Sequence, residues 1–412
     1  MGTTEPARSA PVEILRLAGG GDGVGKLADG LTVFVPRTAP GDRVVLRDLQ
    51  RKRGFARARV AELIEAGPGR VEPPCPHYTR DACGGCQLQH LAAAAQRGAR
   101  RRMVGDALRR IGKLDVEDPP IEPAPEQWGY RTRLSLHAVG GRIGLRPLGR
   151  PADAFELDRC LIAHPDLQEL WLLLKRHRAL LPARLTRLSL RLGRDGIRHV
   201  IATLPPGEIW NEAAQVASEL GDAGVEAALW ATLESGPVRQ VAGPPAEHSA
   251  TSFEQVSPLM GAKIRADAVA VLAPMAGEQV WDLYAGLGET TAQLVRLGAQ
   301  VSSVELDRHA VEWAEANGPP ALRIAGAVEE SLAGLPRPGA VITNPPRTGM
   351  HEAAARQLDA TGATRIVYIS CDPATLARDL ARLTSFRLRA CRAYDLFPQT
   401  AHVETVAVME RA

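Results

Sequence analysis

The chain lacks a long apolar run. Its start, Met1 to Arg8, has no hydrophobic stretch of signal-peptide length, and the longest aliphatic cluster, around Leu170 to Leu174, is far too short to span a bilayer. A cytoplasmic protein with no membrane partner is expected. A strong excess of one charge is also missing. The net charge of +3 gives a weak overall field, so a polyanion must be held by local basic patches. Cysteine is sparse: six, unevenly placed among 412 residues, which does not fit a secreted disulfide framework and suits ligation or catalysis in a reducing compartment. There is no internal repeat, and no low-complexity tract beyond Ala92 to Ala95. What remains, 45% hydrophobic and 24% charged residues, is the balance of a soluble globular protein. The length calls for two or three domains, and a monomer is expected.

From Val12 to Glu65 short alternating segments (Val12 to Leu15, Leu31 to Val35, Asp42 to Leu49, Ala56 to Leu63) are separated by turn residues such as Gly19-Gly20-Gly21-Asp22-Gly23. This predicts an OB-like barrel over 11–66, after a tail at 1–10, with a basic last hairpin: Arg51-Lys52-Arg53, then Phe55, Arg57 and Arg59. A Pro-rich break, Pro68 to Pro76, opens a central α+β region over 67–250. In it a helix is expected from His90 to Leu114, packed on the C-terminal domain, with Leu91, Val104, Leu108 and Ile111 on one face. Its other face is expected to be cationic, since six arginines stand between Arg97 and Arg110 against the single acid Asp106. Over 251–412, strands at Gln279 to Leu283, Gln300 to Glu305, Ala340 to Thr343 and Ile366 to Ile369 alternate with helices near Thr290 to Leu297, His309 to Ala316, Glu352 to Ala360 and Pro373 to Leu383. Such alternation predicts a Rossmann-like α/β domain whose ligands lie at the carboxyl ends of parallel strands.

Chemistry-bearing residues fall at those ends. In Asp282-Leu-Tyr-Ala-Gly-Leu-Gly288, Gly286 and Gly288 let the backbone approach a ligand closely. Glu305 ends the next strand, about 20 residues on, where a carboxylate accepts both hydroxyls of a ribose. There is no third glycine in phosphate register, and Glu289 would repel an anion. A nucleoside without pyrophosphate, such as S-adenosylmethionine, therefore fits better than NAD. Asn344-Pro345-Pro346-Arg347 makes a stiff loop after the third strand. Cys371 follows the fourth and precedes Asp372-Pro373, a helix start whose dipole would favour a thiolate, partly offset by Asp372. Glu404, at the final strand, reaches the same edge as a candidate base. In Cys75-x7-Cys83-Gly-Gly-Cys86 the close spacing suits a metal, with Cys160 as a fourth ligand and Cys391 left to the core. Spacing alone leaves zinc and an iron-sulfur cluster equally open.

Together, Cys75, Cys83-Gly-Gly-Cys86, Phe253-Glu254-Gln255-Val256, Asp282 to Gly288, Asn344-Pro-Pro-Arg347, Ser370-Cys371-Asp372-Pro373 and His402-Val403-Glu404-Thr405 resemble the RNA 5-methyluridine methyltransferase family over about residues 11–411. The barrel resembles the TRAM domain of the branch acting on 23S ribosomal RNA. The resemblance implies a 4Fe-4S centre on Cys75, Cys83, Cys86 and Cys160, and S-adenosylmethionine contacts on Gln255, Tyr284, Glu289, Glu305 and Asn344. It implies Cys371 as nucleophile and Glu404 as proton-abstracting base. Asn344 stands where the family pattern has Asp, and Ser257 where it has Asn. Two other readings stay open: a tRNA uridine-5 methyltransferase, and a catalytically impaired iron-sulfur RNA-binding protein.

Overall fold

A computed structural model describes residues 10–412 except 195, 234–237, 248–251 and 253. The tail called at 1–10 lies outside the described residues but for Ala10, and so does Phe253 of the quoted motif.

Strands β1 (Val12–Leu17), β2 (Gly23–Lys26), β3 (Thr32–Val35), β4 (Arg43–Lys52) and β5 (Phe55–Glu65) close into a barrel in the order β1-β2-β3-β5-β4. Alternation puts Val12, Ile14, Val33, Val35, Val44, Leu46, Ala56 and Ala58 inside. The glycine-rich stretch read as a turn contributes a strand, because Gly23 and Gly25 lie where no side chain fits. A Cβ on Gly23 would stand 1.9 Å from Thr38 Oγ1, and one on Gly25 2.7 Å from the Glu13 carbonyl. Tight turns and a close-packed strand draw on the same residue type, so composition alone does not separate them. On the β4–β5 hairpin, Arg51, Lys52, Arg53, Arg57 and Arg59 are exposed as expected. Arg51 is paired with Asp29 at 2.6 Å.

After α1 (Pro76–Thr79), α2 runs over Ala93–Arg110, shorter at both ends than the sequence suggested. Its Val104 and Leu108 pack with Leu376, Ala377 and Leu380 in the core of the C-terminal domain. The arginine run is not a free cationic face. Arg100 is fully buried, 2.9 Å from the equally buried Asp395, and donates to the carbonyls of Phe397 and Thr400. Arg101 donates to Pro119 O, and Arg109 pairs with Asp106 and Asp118. A charge count treats all arginines alike; the fold gives three of these six, Arg100, Arg101 and Arg109, an internal acceptor.

The central region carries β6 (Ile121–Glu122), β7 (Arg133–Val139), β8 (Arg142–Leu145), β9 (Phe155–Glu156), α3 (Pro165–Arg176), β10 (Arg187–Leu192), β11 (Arg198–Leu204), α4 (Ala213–Asp222), β12 (Ala227–Leu233) and β13 (Arg239–Ala242). All but β6 of these strands form one sheet, β13-β12-β11-β10-β7-β8-β9, with α3 and α4 packed on it through Leu167, Leu170, Trp171, Leu174, Val216 and Leu220.

The C-terminal domain continues with α5 (Pro258–Leu272), β14 (Gln279–Leu283), α6 (Glu289–Arg296), β15 (Gln300–Glu305), α7 (Arg308–Asn317), β16 (Leu322–Ala325), α8 (Val328–Ser331), β17 (Ala340–Thr343), α9 (Glu352–Asp359), β18 (Arg365–Ser370), α10 (Pro373–Arg382), β19 (Phe386–Tyr394) and β20 (Glu404–Arg411). Its sheet has the order β16-β15-β14-β17-β18-β20-β19-β6. The strands from β16 to β18 are parallel, and β20 is antiparallel to both β18 and β19. The order reverses at β14, so the crevice beside its carboxyl end is the topological switch point. No helix among the described residues is long and apolar enough to cross a membrane.

Breaking a buried ion pair from one side strands a charge and costs about 3–5 kcal/mol. Arg100→Met should therefore lower unfolding stability in urea by about that amount. Arg102→Met, on the exposed face of the same helix, should change it by less than about 0.5 kcal/mol.

Candidate active site

The switch point is built by a strained turn. Tyr284, directly after β14, has φ of 60°, a left-handed conformation that a tyrosine adopts only when its surroundings impose it. Gly286 (φ 55°) and Gly288 (φ 77°) complete the loop into α6. Glu305, at the end of β15, ties the loop down: its two carboxylate oxygens accept from Gly286 N at 2.8 Å and Asp307 N at 2.9 Å. Each oxygen keeps a lone pair, as two ribose hydroxyls would need. Beneath the turn, buried Asp282 accepts from Thr291 Oγ1 at 2.6 Å, and burial pushes its carboxyl up to about 7.

Asn344 N donates to Leu283 O at 3.1 Å, which sets Asn344 beside Tyr284 across the ends of β17 and β14. Gln255 leads into α5 and packs where Gly261 leaves room: a Cβ there would lie 2.8 Å from that of Gln255. Glu289 opens α6, but its Oε1 is 2.9 Å from both Arg265 and Arg194. The negative charge read as repelling an anion is thus internally neutralised, by arginines too distant in sequence to be seen as partners.

Cys371 and Glu404 meet across the β18–β20 ladder. Ser370 faces Thr405 in antiparallel register, so the next pair outward is Cys371 and Glu404, and Thr405 Oγ1 donates to Ser370 O at 3.1 Å. Glu404 is 1% exposed, and its Oε2 has no hydrogen-bond partner. Burial raises its carboxyl to about 8, against the pull of Arg347. An unpartnered buried carboxyl is costly, and such groups gather at functional sites.

Cys371 is half-buried, and its thiol is pushed up to about 11, chiefly by burial and next by Glu404, while Arg347 lowers it. This corrects the expectation of a thiolate favoured by a helix start. The Asp372 carboxylate caps α10, accepting from Ala374 N and Thr375 N at 2.9 Å each, so it takes the amides that would have faced the sulfur and adds a negative charge.

Arg347 is thus the cation of the site, a part that its motif alone did not reveal. Its loop is clamped by buried Asp379, which accepts from Met350 N at 2.7 Å and Tyr368 OH at 2.7 Å, and by Arg378, which donates to Thr348 O at 2.8 Å. Only the paired prolines hinted at so fixed a loop.

Cys75, Cys83, Cys86 and Cys160 are all buried in one core cluster and act on one another electrostatically. Burial raises the Cys83 thiol to about 12 and also raises those of Cys86 and Cys160. Gly85 N donates to Cys83 Sγ at 3.4 Å, the Gln89 side chain favours a Cys86 thiolate, and the Ala163 and Ile162 amides favour one at Cys160. Yet among the described residues no three His, Cys, Asp or Glu side chains form a group that could hold a metal ion, so the arrangement by itself does not show the expected metal site. Arg37 joins this region to the barrel, donating to Cys83 O at 2.8 Å with its guanidinium 4.0 Å over the Tyr78 ring.

The tRNA (Uracil-5-)-methyltransferase family profile matches residues 337–412, and the TRAM domain profile residues 7–61. An uncharacterized RNA methyltransferase of Streptomyces coelicolor is 33% identical, over 97% of this chain and 92% of that relative. A 23S rRNA (uracil(1939)-C(5))-methyltransferase of Alkalilimnicola ehrlichii is 34% identical, over 93% of this chain and 92% of its own length. Among solved structures, the tRNA (uracil-54, C5)-methyltransferase of Pyrococcus abyssi, in complex with S-adenosyl-L-homocysteine, superposes with a TM-score of 0.74 at 24% identity, over 97% of this chain and 99% of that one. That likeness supports the fold.

Glu404 keeps a proton up to about pH 8 in the folded chain and loses it near 4.5 when unfolded. Its contribution to stability is therefore fully present below about 4.5 and is lost as pH rises towards 8. Glu404→Gln should remove that loss: measured by urea unfolding, the variant gains on the parent between pH 5 and pH 9. Iodoacetamide should alkylate Cys371 slowly at neutral pH, and at pH 9 faster in Glu404→Gln than in the parent, because a like charge beside the thiolate is gone.

Proposed function

The chain belongs to the RNA uracil-5 methyltransferase family, and from that premise we propose that it methylates carbon 5 of a uridine in 23S ribosomal RNA, with S-adenosylmethionine as methyl donor, Cys371 as nucleophile and Glu404 as base. The observation that carries this reading is that Cys371 and Glu404, each one residue beyond the last ladder pair Ser370–Thr405, act on one another electrostatically beside Arg347, at the strand edge that also bears Tyr284, Glu305 and Asn344. Carbon 5 of uracil is too weak a nucleophile to take a methyl group unaided. The Cys371 thiol therefore gives up its proton to solvent and its sulfur adds to carbon 6, making an enolate whose negative charge Arg347 would offset. Carbon 5 then takes the methyl group, and S-adenosylhomocysteine leaves. The Glu404 carboxylate takes the proton from carbon 5, the carbon–sulfur bond at carbon 6 breaks to restore the double bond, and the proton passes from Glu404 to the released thiolate, restoring thiol and carboxylate. A carboxyl near 8 suits that last task, since a base works best with its pKa near the working pH.

Gln255, Tyr284, Glu305 and Asn344 are the proposed contacts to the methyl donor. Glu289 acts there through its arginine pair. The exposed Arg51, Lys52, Arg53, Arg57 and Arg59 of the barrel hairpin are the proposed phosphate contacts. The choice of 23S ribosomal RNA over tRNA rests on the relatives with that activity and on the barrel.

The cysteines fit a 4Fe-4S cluster held by Cys75, Cys83, Cys86 and Cys160. Amide donors to sulfur stabilise thiolates and are wasted on thiols, and burial against four neighbouring charges is sustainable only when a metal centre offsets them. Such a cluster would tie three chain segments together, at Cys75, Cys83 to Cys86 and Cys160, and supply no step of the methylation. Anaerobically purified protein should hold roughly four iron and four sulfide per chain and lose both in Cys160→Ser; zinc with no sulfide would sink the assignment.

With 5-fluorouridine in unmodified 23S RNA fragments, fluorine takes the place of the proton that Glu404 removes, so the protein should remain covalently attached to the RNA. Loss of the adduct in Cys371→Ala and its absence with fluorinated tRNA are expected. An adduct formed on tRNA but not on 23S fragments would favour the tRNA reading, and none on either would overturn the mechanism.

A further inference from the structure

The turn that delivers Glu404 is held from outside its own domain. Gln399 has φ of 69°, is 4% exposed, and its carbonyl accepts from Gln87 N at 3.1 Å and Leu88 N at 2.9 Å. Those two residues directly follow Cys86. The Gln87 side chain makes a second bridge: its Nε2 donates to Gly84 O, inside the cysteine loop, at 2.8 Å, while its Oε1 accepts from Ala401 N at 3.3 Å. Gln96 of α2 adds a reciprocal pair, accepting from Gln399 N and donating to Gln399 Oε1, both at 2.9 Å. The barrel closes on the same point, since a Cβ on Gly21 would lie 3.0 Å from the Cβ atoms of both Ala401 and Gln87.

From this we infer that Gln87 is a positioning residue: one side-chain amide couples the cysteine loop to the turn that sets the Glu404 carboxyl. An amide is suited to it, because a single planar group donates to one segment and accepts from the other, and replacing either atom breaks one bridge. Cys371 hangs from β18 and α10 and makes none of these bonds. The coupling therefore acts on the proton-removing half of the reaction and spares thiol addition and methyl transfer. The inference rests on the reading of Glu404 as base.

The test uses the full chain with its natural complement of iron, on 23S RNA fragments containing ordinary uridine, and reads the methylated covalent protein–RNA adduct together with turnover. Glu404→Gln serves as reference: with no base, the adduct accumulates. If it does not, the assignment of the base fails, and the inference with it. Given that accumulation, Gln87→Ala is expected to pile up the same adduct while turnover falls roughly 10- to 100-fold, as for a misplaced catalytic group. Apparent RNA affinity should stay within about twofold of the parent. Deuterium exchange of the peptide spanning 398–403 should quicken, with iron content unchanged. Gln87→Glu keeps the acceptor for Ala401 N and loses the donor to Gly84 O; it should show the same pattern, and it decides the matter if Gln87→Ala does not fold. Adduct and turnover falling in proportion, or turnover unchanged in both variants, would overturn the inference.

Discussion

The Arg100 guanidinium holds this molecule together at its chemical centre. It is fully buried, it belongs to a helix outside the C-terminal sheet, and it fills the turn between β19 and β20 by binding the carbonyls of Phe397 and Thr400 beside Asp395. The contact with Asp395 is close, at 2.9 Å, but not aligned as a hydrogen bond, so the attraction is mainly between charges in a dry interior. A turn that exposes carbonyls inward needs such a cation, or it carries unsatisfied acceptors. Two further anchors depend on the same turn: Tyr130 OH donates to Pro398 O at 2.9 Å, and the Gln96–Gln399 amide pair locks the left-handed residue in place. The central region and the C-terminal domain are thereby fastened to one another at the segment that leads into Glu404.

Electrostatically, the site is built for a single negative charge. Cys371, Glu404 and Asp372 crowd one strand edge with Arg347 as the nearby cation, and burial holds protons on both the thiol and the Glu404 carboxyl. On the proposed mechanism such a resting site keeps its nucleophile masked as a thiol. Once the thiol proton is lost, addition of sulfur to carbon 6 would put the negative charge on the ring, towards Arg347. The low-dielectric wall that makes the resting state neutral also strengthens that attraction.

Much of the frame was legible from residues alone. The parallel strands over 279–305 and 340–343 follow from apolar runs closed by Gly, Asp and Asn, and their bounds agree with the structure because such buried strands have little freedom in length. The barrel was legible except for β2, whose glycines serve close packing while looking like a turn. Cys371 and Glu404 stood out because each sits at a strand end beside a distinctive neighbour. Gln87, Gln96 and Arg100 did not, because each acts through a partner some 300 residues away, as with Arg100 and Thr400.

By itself, then, the order of residues determined the layers, the strand ends and the kinds of group that meet there, since backbone periodicity and turn chemistry are local. Only the tertiary structure decided their charge states and their fastenings. A helix start that promised a thiolate yielded a thiol near 11 once Asp372 took its amides, a helix read as cationic turned Arg100 inside, and an acid read as repelling an anion gained two arginine partners. The physical reason is the same in each case: burial and pairing are set by what packs across a gap, and that distance is not written along the chain.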